Sequence, residues 1–481
     1  MSGTGAASRG AASRGAASTG AGSTGAASIS AEEEAHRART GDLVPYATGS
    51  VGMGIWSTVP GLLLLYFLTH TLGVPPFLAG LALLLPKIVD TLVHPLLGTL
   101  SDRYARRSGN RLGLLWTGLS LAVALAAMFT VPPGLSGAPA ALWVGGWFLA
   151  GNLLYGCFQV PYLTTPSDLR IGYHERTRVF MFRMLFLTLG LLGAGVAAPA
   201  LVESGARRDY TVMAVALGAC MLATCAVGIT GVRRLTARCG FRVPEGRDGH
   251  TTGRADIAAV LRDRDFRAMV LSYLFTGTTT HLFLAALPFY TEYVFEDSGL
   301  TALFMGAFLG PAVIAGPVWL RVSRRIGKQR GLLLSQAAFT LGSLGLLLGR
   351  ALGAGPTVAV VAVLGAAFAG LQLFAFSMVP DAVAAAEVRG AATAGAYTGV
   401  WTATEAAGTA VGPYVYSAVL AVGGFVSTTE GHTVAQSDSA LTALLTGFTV
   451  VPALLMTVAL VFQRRCALDG PSGTGPVRAR T

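Results

Sequence analysis

Residues 98–113 read GTLSDRYARRSGNRLG, and residues 316–331 read GPVWLRVSRRIGKQRG. Six positions agree at one constant offset of 218: Gly98, Arg103, Arg106, Arg107, Gly109 and Gly113 return as Gly316, Arg321, Arg324, Arg325, Gly327 and Gly331. Each copy separates two long apolar runs, so each reads as a short basic loop joining two helices. Its return at fixed spacing marks an internal duplication. The small residues let helices approach closely at the turn, and the arginines can anchor among lipid headgroups or pair with Asp102 and helix C-terminal carbonyls. We expect Asp102, Arg103, Arg107, Arg321 and Arg325 to form a gate. The second copy has Leu320 where the first has Asp102, which predicts charge pairing in the first loop alone.

The composition places these loops in a bilayer. Of 481 residues 53% are hydrophobic and 12% charged, with mean hydropathy +0.59. A soluble domain carries about 25% charged residues, so this chain has too few to cover a water-exposed surface. A net charge of +11 would raise nucleic acid as a partner in a soluble protein; here the charge is divided among short loops, and topology explains it. Membrane lipids are therefore expected partners and nucleic acid is not; the residues inside the spans, and the family they resemble, point below to a small-molecule solute and to a proton in preference to sodium. Cys157, Cys220, Cys225, Cys239 and Cys466 form no ligand cluster, so neither a metal nor a disulfide framework is expected. No phosphate-binding loop and no nucleophile–base set stands out; neither an enzyme nor a cofactor is expected.

Along the chain, 25 of the first 28 residues are Gly, Ala, Ser or Thr, a composition that builds no core. The expected divisions are a cytoplasmic tail at 1–42, a six-helix half at 43–232, a cytoplasmic linker at 233–267, a second six-helix half at 268–463 and a tail at 464–481. The fold class is all-α and polytopic, with twelve transmembrane helices in two six-helix pseudo-repeats. The eleventh span, read as 391–426, is overlong. With both termini in the cytoplasm, 30 of the 35 Lys and Arg residues fall on the cytoplasmic side and three on the outside, with two inside helices. That asymmetry follows the positive-inside rule and would be lost on moving the count by one helix. The expected location is the inner (plasma) membrane.

Ionisable groups inside spans are costly and mark pathways. Lys87, Asp90 and His94 stand at i, i+3 and i+7 of the second helix and share one face; Pro95 follows and can open the helix. The functional reading makes Asp90 a proton carrier, Lys87 its counter-charge and His94 a relay near neutral pH. The alternative is a Lys87–Asp90 assembly salt bridge with His94 hydrogen-bonded in the bundle. Glu405 stands alone in an uncharged stretch and could pair with Lys87 across the halves. Tyr397, Trp401 and Glu405 follow one another at single-turn spacing and are the expected ligand wall of the second half. Tyr162, His281 and Thr278 are further candidates for contact with solute. Arg183, one turn inside the fifth helix, is placed with the gate, where snorkelling to the headgroups is the simpler account. Asp168, Glu175, Asp381 and Glu387 lie at helix ends as partners for the gate arginines.

Four stretches, Lys87 to Asp102 (with the Gly98-x-Leu100-Ser101-Asp102-Arg103 loop), Pro161 to Arg183, Val379 to Tyr397 and Gly412 to Phe425, resemble the major facilitator superfamily and within it the glycoside–pentoside–hexuronide:cation symporters, the group of the melibiose carrier. The resemblance spans about 43–465 and implies the major facilitator fold. It also implies that Asp90 matches the first of two carboxylates that hold the coupling cation. His94 replaces the second, Gln159 replaces a carboxylate on the fourth helix, Gly54 aligns roughly with a sugar-contacting acid of the family's first helix, and Glu405 occupies a lysine position. Arg183 matches an arginine of the family. Since a sodium ion wants oxygen ligands, Asp90, His94, Lys87, Glu405 and Gln159 are read as a proton site. The function expected is proton-coupled secondary transport of a sugar, glycoside or similar polar solute. The alternatives are export of a small amphipathic metabolite or natural product, and a non-transporting sensor on the same scaffold.

Overall fold

The computed structural model describes residues 39–171, 173–202, 205–241, 243, 260–388, 394–430 and 434–466. They form twelve long helices: α1 (Thr40–Thr71), α2 (Pro76–Ser108), α3 (Leu112–Phe129), α4 (Gly137–Asp168), α5 (Tyr173–Ala200), α6 (Arg207–Cys239), α7 (Arg264–Phe295), α8 (Leu300–Ile326), α9 (Lys328–Leu352), α10 (Ala354–Val388), α11 (Ala394–Val422) and α12 (Asp438–Arg464). All but α11 are long and apolar enough to cross a membrane. α11 is rich in Ala, Gly and Thr and carries Glu405, which lowers its hydropathy; the overlong run 391–426 narrows to Ala394–Val422 as a helix, because Gly423 and Gly424 end it. α2 passes through position 95 as one continuous helix.

Packing repeats with the sequence. α1 lies against α5 and α6, as α7 lies against α11 and α12, and α2 packs on α4 as α8 packs on α10. The two halves meet through α2–α11, α5–α8 and α1–α7, pairs that a twofold exchange of the halves maps onto one another. Glycine permits the closest of these approaches. A Cβ at Gly54 would stand 2.7 Å from the backbone nitrogen of Leu191, and one at Gly412 would stand 2.6 Å from that of Leu282, so α1–α5 and α7–α11 are both nearly backbone to backbone.

The duplicated loops owe their glycines to different causes. Gly109 and Gly327 end α2 and α8 with φ of +67° and +87°, values that favour glycine. A side chain at Gly113 or Gly331 would strike the Tyr104 hydroxyl or the Phe374 ring. Gly98 and Gly316 face open space, which corrects the expectation that all of these small residues serve close packing.

Between described residues, the hydrogen bonds and ion pairs that join the halves all lie at the face distal to the ends of the chain. There α1 finishes in a π-helical turn, Phe67–Thr71, whose last carbonyls need donors. Residues 427–430 supply them: Thr428 N–H donates to Thr69 O (2.9 Å), Glu430 N–H to Thr71 O (3.2 Å) and the Thr428 hydroxyl to His70 O (2.8 Å). The Ser427 hydroxyl donates to Val74 O, and Arg207 pairs with Glu430. The distal face is clasped, while among the described residues no such bond joins the halves at their proximal ends.

A side chain cannot rotate away from backbone, so Gly54→Val is expected to cost about 1–3 kcal/mol of stability, read as a lower Tm of purified protein. Gly193→Val, at an open position of α5, should leave Tm within error.

Candidate functional site

Three side chains of α2 meet one face of α4. The Lys87 ammonium donates to Asn152 Oδ1 (2.8 Å) and stands 3.6 Å from Asp90 Oδ2. It also lies over the Phe148 ring, 5.6 Å from its centre. Asn152 is fully buried and fixed by its own amide, which donates to Phe148 O (2.9 Å). His94 Nδ1 is 3.2 Å from both the Asp90 carbonyl and Asp90 Oδ1. Gly156 lets the helices close here: a Cβ there would stand 2.6 Å from Leu97 Cδ1 and in ordinary contact with His94 Cε1 at 3.5 Å. Gln159, one turn further along α4, is near enough to interact with His94. The residues at 148, 152, 156 and 159 thus form a helical stripe that receives the stripe at 87, 90 and 94.

Asp90 is 5% exposed, and its two oxygens face different partners, Oδ2 the Lys87 ammonium at 3.6 Å and Oδ1 the His94 imidazole at 3.2 Å. A buried carboxylate is costly unless such partners offset its charge. Lys87 is turned to Asn152 and Asp90, so it forms no ion pair with Glu405. Beside this cluster, Tyr155 donates to or accepts from Ser57 (3.3 Å), stacks on Trp56, and lies within electrostatic range of Asp90, Arg183 and Glu405. Tyr155 therefore marks where the charged groups of the two halves converge.

In the second half, His281 Nδ1 contacts Gly277 O at 2.9 Å, and its Nε2 is 3.3 Å from the Thr409 hydroxyl, which donates to Glu405 O. His281 is also within electrostatic range of Lys87. The Thr278 hydroxyl donates to Leu274 O. The expected ligand wall is closed: Tyr397 is 1% exposed, donates to Asp263 and packs on Phe266, while Trp401 stacks on Tyr273 at 4.1 Å. Tyr162 is likewise interior, stacked between Tyr46 and Phe158 and bonded to the Tyr46 carbonyl. Arg183 is buried, 5.6 Å over the Phe180 ring, with Nε lacking a hydrogen-bond partner among the described residues. It is enclosed in the bundle, contrary to the snorkelling account.

Of the cations near the repeated loops, those expected at a gate are not the ones that join the elements. Arg103, Arg107, Arg321 and Arg325 are exposed. Arg111, 5% exposed, joins the elements instead: it donates to Asp168 (2.7 Å), Asp102 (2.7 Å) and the Ser101 hydroxyl (2.6 Å). The second half has a parallel contact, Lys328 to Asp381 (2.5 Å) and to Ser377 O (3.2 Å). That pair corrects the expectation of charge pairing in the first loop alone. Glu175 pairs with Arg178, one turn on in α5; the side chain of Glu387 lies outside the described residues.

Asn152, Gly156 and Arg111 were not singled out by the sequence, and Tyr155 was one of many aromatic residues in the spans. The signals available were the i, i+4 spacing of Asn152 and Gly156, and the place of Arg111 as the last cation before α3.

Comparison with known proteins agrees with the architecture. The profile described as MFS/sugar transport protein matches residues 45–470. The isoprimeverose transporter of Lactiplantibacillus pentosus is 24% identical over 83% of this chain and 84% of its own. An uncharacterized symporter of Synechocystis is 34% identical over 29% of this chain. The match takes in 27% of that protein, so the chain spans little more than a quarter of the first of the curated relatives it matches. The crystal structure of the nucleoside transporter NupG superposes with TM-score 0.62 at 15% identity, covering 89% of this chain and 100% of that one.

Removing Arg111 strands Asp168 with a buried charge. Arg111→Ala should cost about 3–5 kcal/mol, seen as a fall in Tm, and Arg111→Ala with Asp168→Asn should recover part of it. Equal losses in the single and double variants would mean that the two residues do not form a stabilising pair.

Proposed function

The chain belongs to the MFS/sugar transport family, and from that premise we propose that it is a proton-coupled secondary transporter of a sugar, glycoside or similar small polar solute. It works in the plasma membrane with both termini in the cytoplasm, so the clasped distal face is the outside. The tails at 1–42 and 464–481 and the linker at 233–267 flank two six-helix halves on the cytoplasmic side. The charge count of 30 basic residues against three supports that orientation,.

The observation that carries the coupling is the Asp90 carboxylate, buried with its Oδ1 3.2 Å from the His94 imidazole. A bare alkali ion would need several oxygen ligands here. It would meet the Lys87 ammonium 3.6 Å from the same carboxylate and an imidazole at position 94. A proton needs only one oxygen. Asp90 takes the proton, Lys87 and Asn152 hold the carboxylate's side of α2 against α4, and His94 tunes the exchange by its own charge near neutral pH. Arg183 and Tyr155 offer donors to the hydroxyls of a solute between the halves. His281 and Glu405 offer an imidazole and a carboxylate from the opposite side.

The test is uptake into proteoliposomes with an imposed pH gradient and, separately, an imposed sodium gradient. Candidate sugars and glycosides would be supplied in turn. Accumulation should follow the pH gradient without sodium. Asp90→Asn should abolish accumulation and retain solute exchange, and His94→Gln should move the pH dependence while transport persists. Accumulation driven by sodium alone, or wild-type accumulation by Asp90→Asn, would overturn the proton assignment.

A further inference from the structure

A second set of titratable groups lies far from Asp90, just beneath the clasp. A cavity of about 60 Å³ is bounded by α1, α5, α6, α7 and α8, and so by both halves. Its polar lining is Tyr66, His70, Tyr210, Glu292, Ser298 and Thr301. The volume is enough for a few waters, each of which needs two or more polar partners. Two groups are positioned to hold them. The Tyr210 hydroxyl is buried beside the Thr71 hydroxyl, which itself donates to Gly205 O, and it has no other hydrogen-bond partner among the described residues. The Glu292 carboxylate lines the chamber and makes no ion pair with a described residue.

The charge around Glu292 is unbalanced. From α1 the chamber receives His70, whose ring stacks on Tyr66 and whose Nδ1 is 3.4 Å from the Thr428 hydroxyl of the clasp. From α6 come Tyr210, with Asp209 beside it, and Arg207, which is engaged by Glu430. α7 and the turn after it bring Tyr293 and Asp297, both within electrostatic range of Glu292, and then Glu296. α5 and α8 contribute no charged side chain to the lining. The one nearby guanidinium that is held in place already serves another carboxylate.

We propose that Glu292 is an external proton site that links closure of the outer face to proton uptake from outside. With the clasp closed, the halves confine Glu292 in a small chamber where an unpaired carboxylate is poorly solvated. With the clasp open, water reaches it and it ionises freely. Closure therefore binds a proton at the Glu292 carboxylate, and acid outside favours the closed face. His70 joins chamber and clasp, since its imidazole borders one and its carbonyl accepts from Thr428 in the other. This site is separate from the Asp90 cluster, which sits at the junction of α2 and α4. The inference rests on the transporter reading only in assigning the distal face to the outside and in supposing two states of it.

The experiment needs no solute, so its failure and that of the solute assignment are distinguishable. Spin labels at Leu201→Cys and Leu352→Cys, exposed positions at the distal ends of α5 and α9, report the opening of that face by distance distribution in liposomes. The exposed Cys220 is replaced by Ser. From about pH 8 to about pH 5 the ratio of closed to open populations should rise about tenfold. Glu292→Gln should keep the face closed and remove the pH dependence, whereas Glu292→Asp should retain it. A wild-type distribution unchanged by pH would overturn the proposal. So would an undiminished shift in Glu292→Gln, with or without its loss in His70→Gln.

Discussion

The contact between the Lys87 ammonium and the Asn152 amide, 2.8 Å long, sets the terms for the rest of the first half. A charged stripe on α2 would be expensive in an apolar bundle. α4 lowers that cost with one buried amide, one aromatic face at Phe148 and one glycine at 156. Each is matched to a particular partner on α2. Asn152 accepts a hydrogen bond from Lys87, and Gly156 leaves space for Leu97. Asp90 is left between an ammonium at Oδ2 and an imidazole at Oδ1. The imidazole is the chemical opportunity, because it changes charge near neutral pH where the ammonium does not.

The duplication explains why this cluster can be mobile as part of a larger body. The contacts α2–α11 and α5–α8 exchange under the twofold, and so do the helix pairs inside each half. Each half is stiffened by near contact of backbones, at Gly54 with Leu191 and at Gly412 with Leu282. Between the halves the distal face is held by the segment 427–430, which completes the last carbonyls of α1. These bonds are few and lie at the edge of the bundle, so they can be exchanged for water at modest cost. Rigid halves joined by separable bonds suit alternating access.

Much of this architecture was legible in the sequence, and the reason is physical. Helix number follows from apolar length, which is a property of single segments. The repeat gave the pairing of the halves, and the positive φ at Gly109 and Gly327 supplies the reason for two of its six identities. The face shared by Lys87, Asp90 and His94 was legible because helical spacing fixes it. What stayed hidden depends on which segment faces which. Asn152 is an ordinary polar residue until α4 is laid on α2. Arg111 is one arginine among several until its burial against Asp102 and Asp168 is seen. Tyr397 and Trp401 share a face as expected, yet that face is occupied by α7 and its approach. Helical periodicity tells which side chains are neighbours and leaves open what they look upon.

The claim on which the account turns is that Asp90 itself changes protonation. The most direct measurement is the pH-induced infrared difference spectrum of the protein in lipid, in the region of the protonated-carboxyl C=O stretch. The account predicts a titrating band that disappears in Asp90→Asn and survives in Glu405→Gln. A band that persists undiminished in Asp90→Asn, or one that is lost in Glu405→Gln alone, would contradict it.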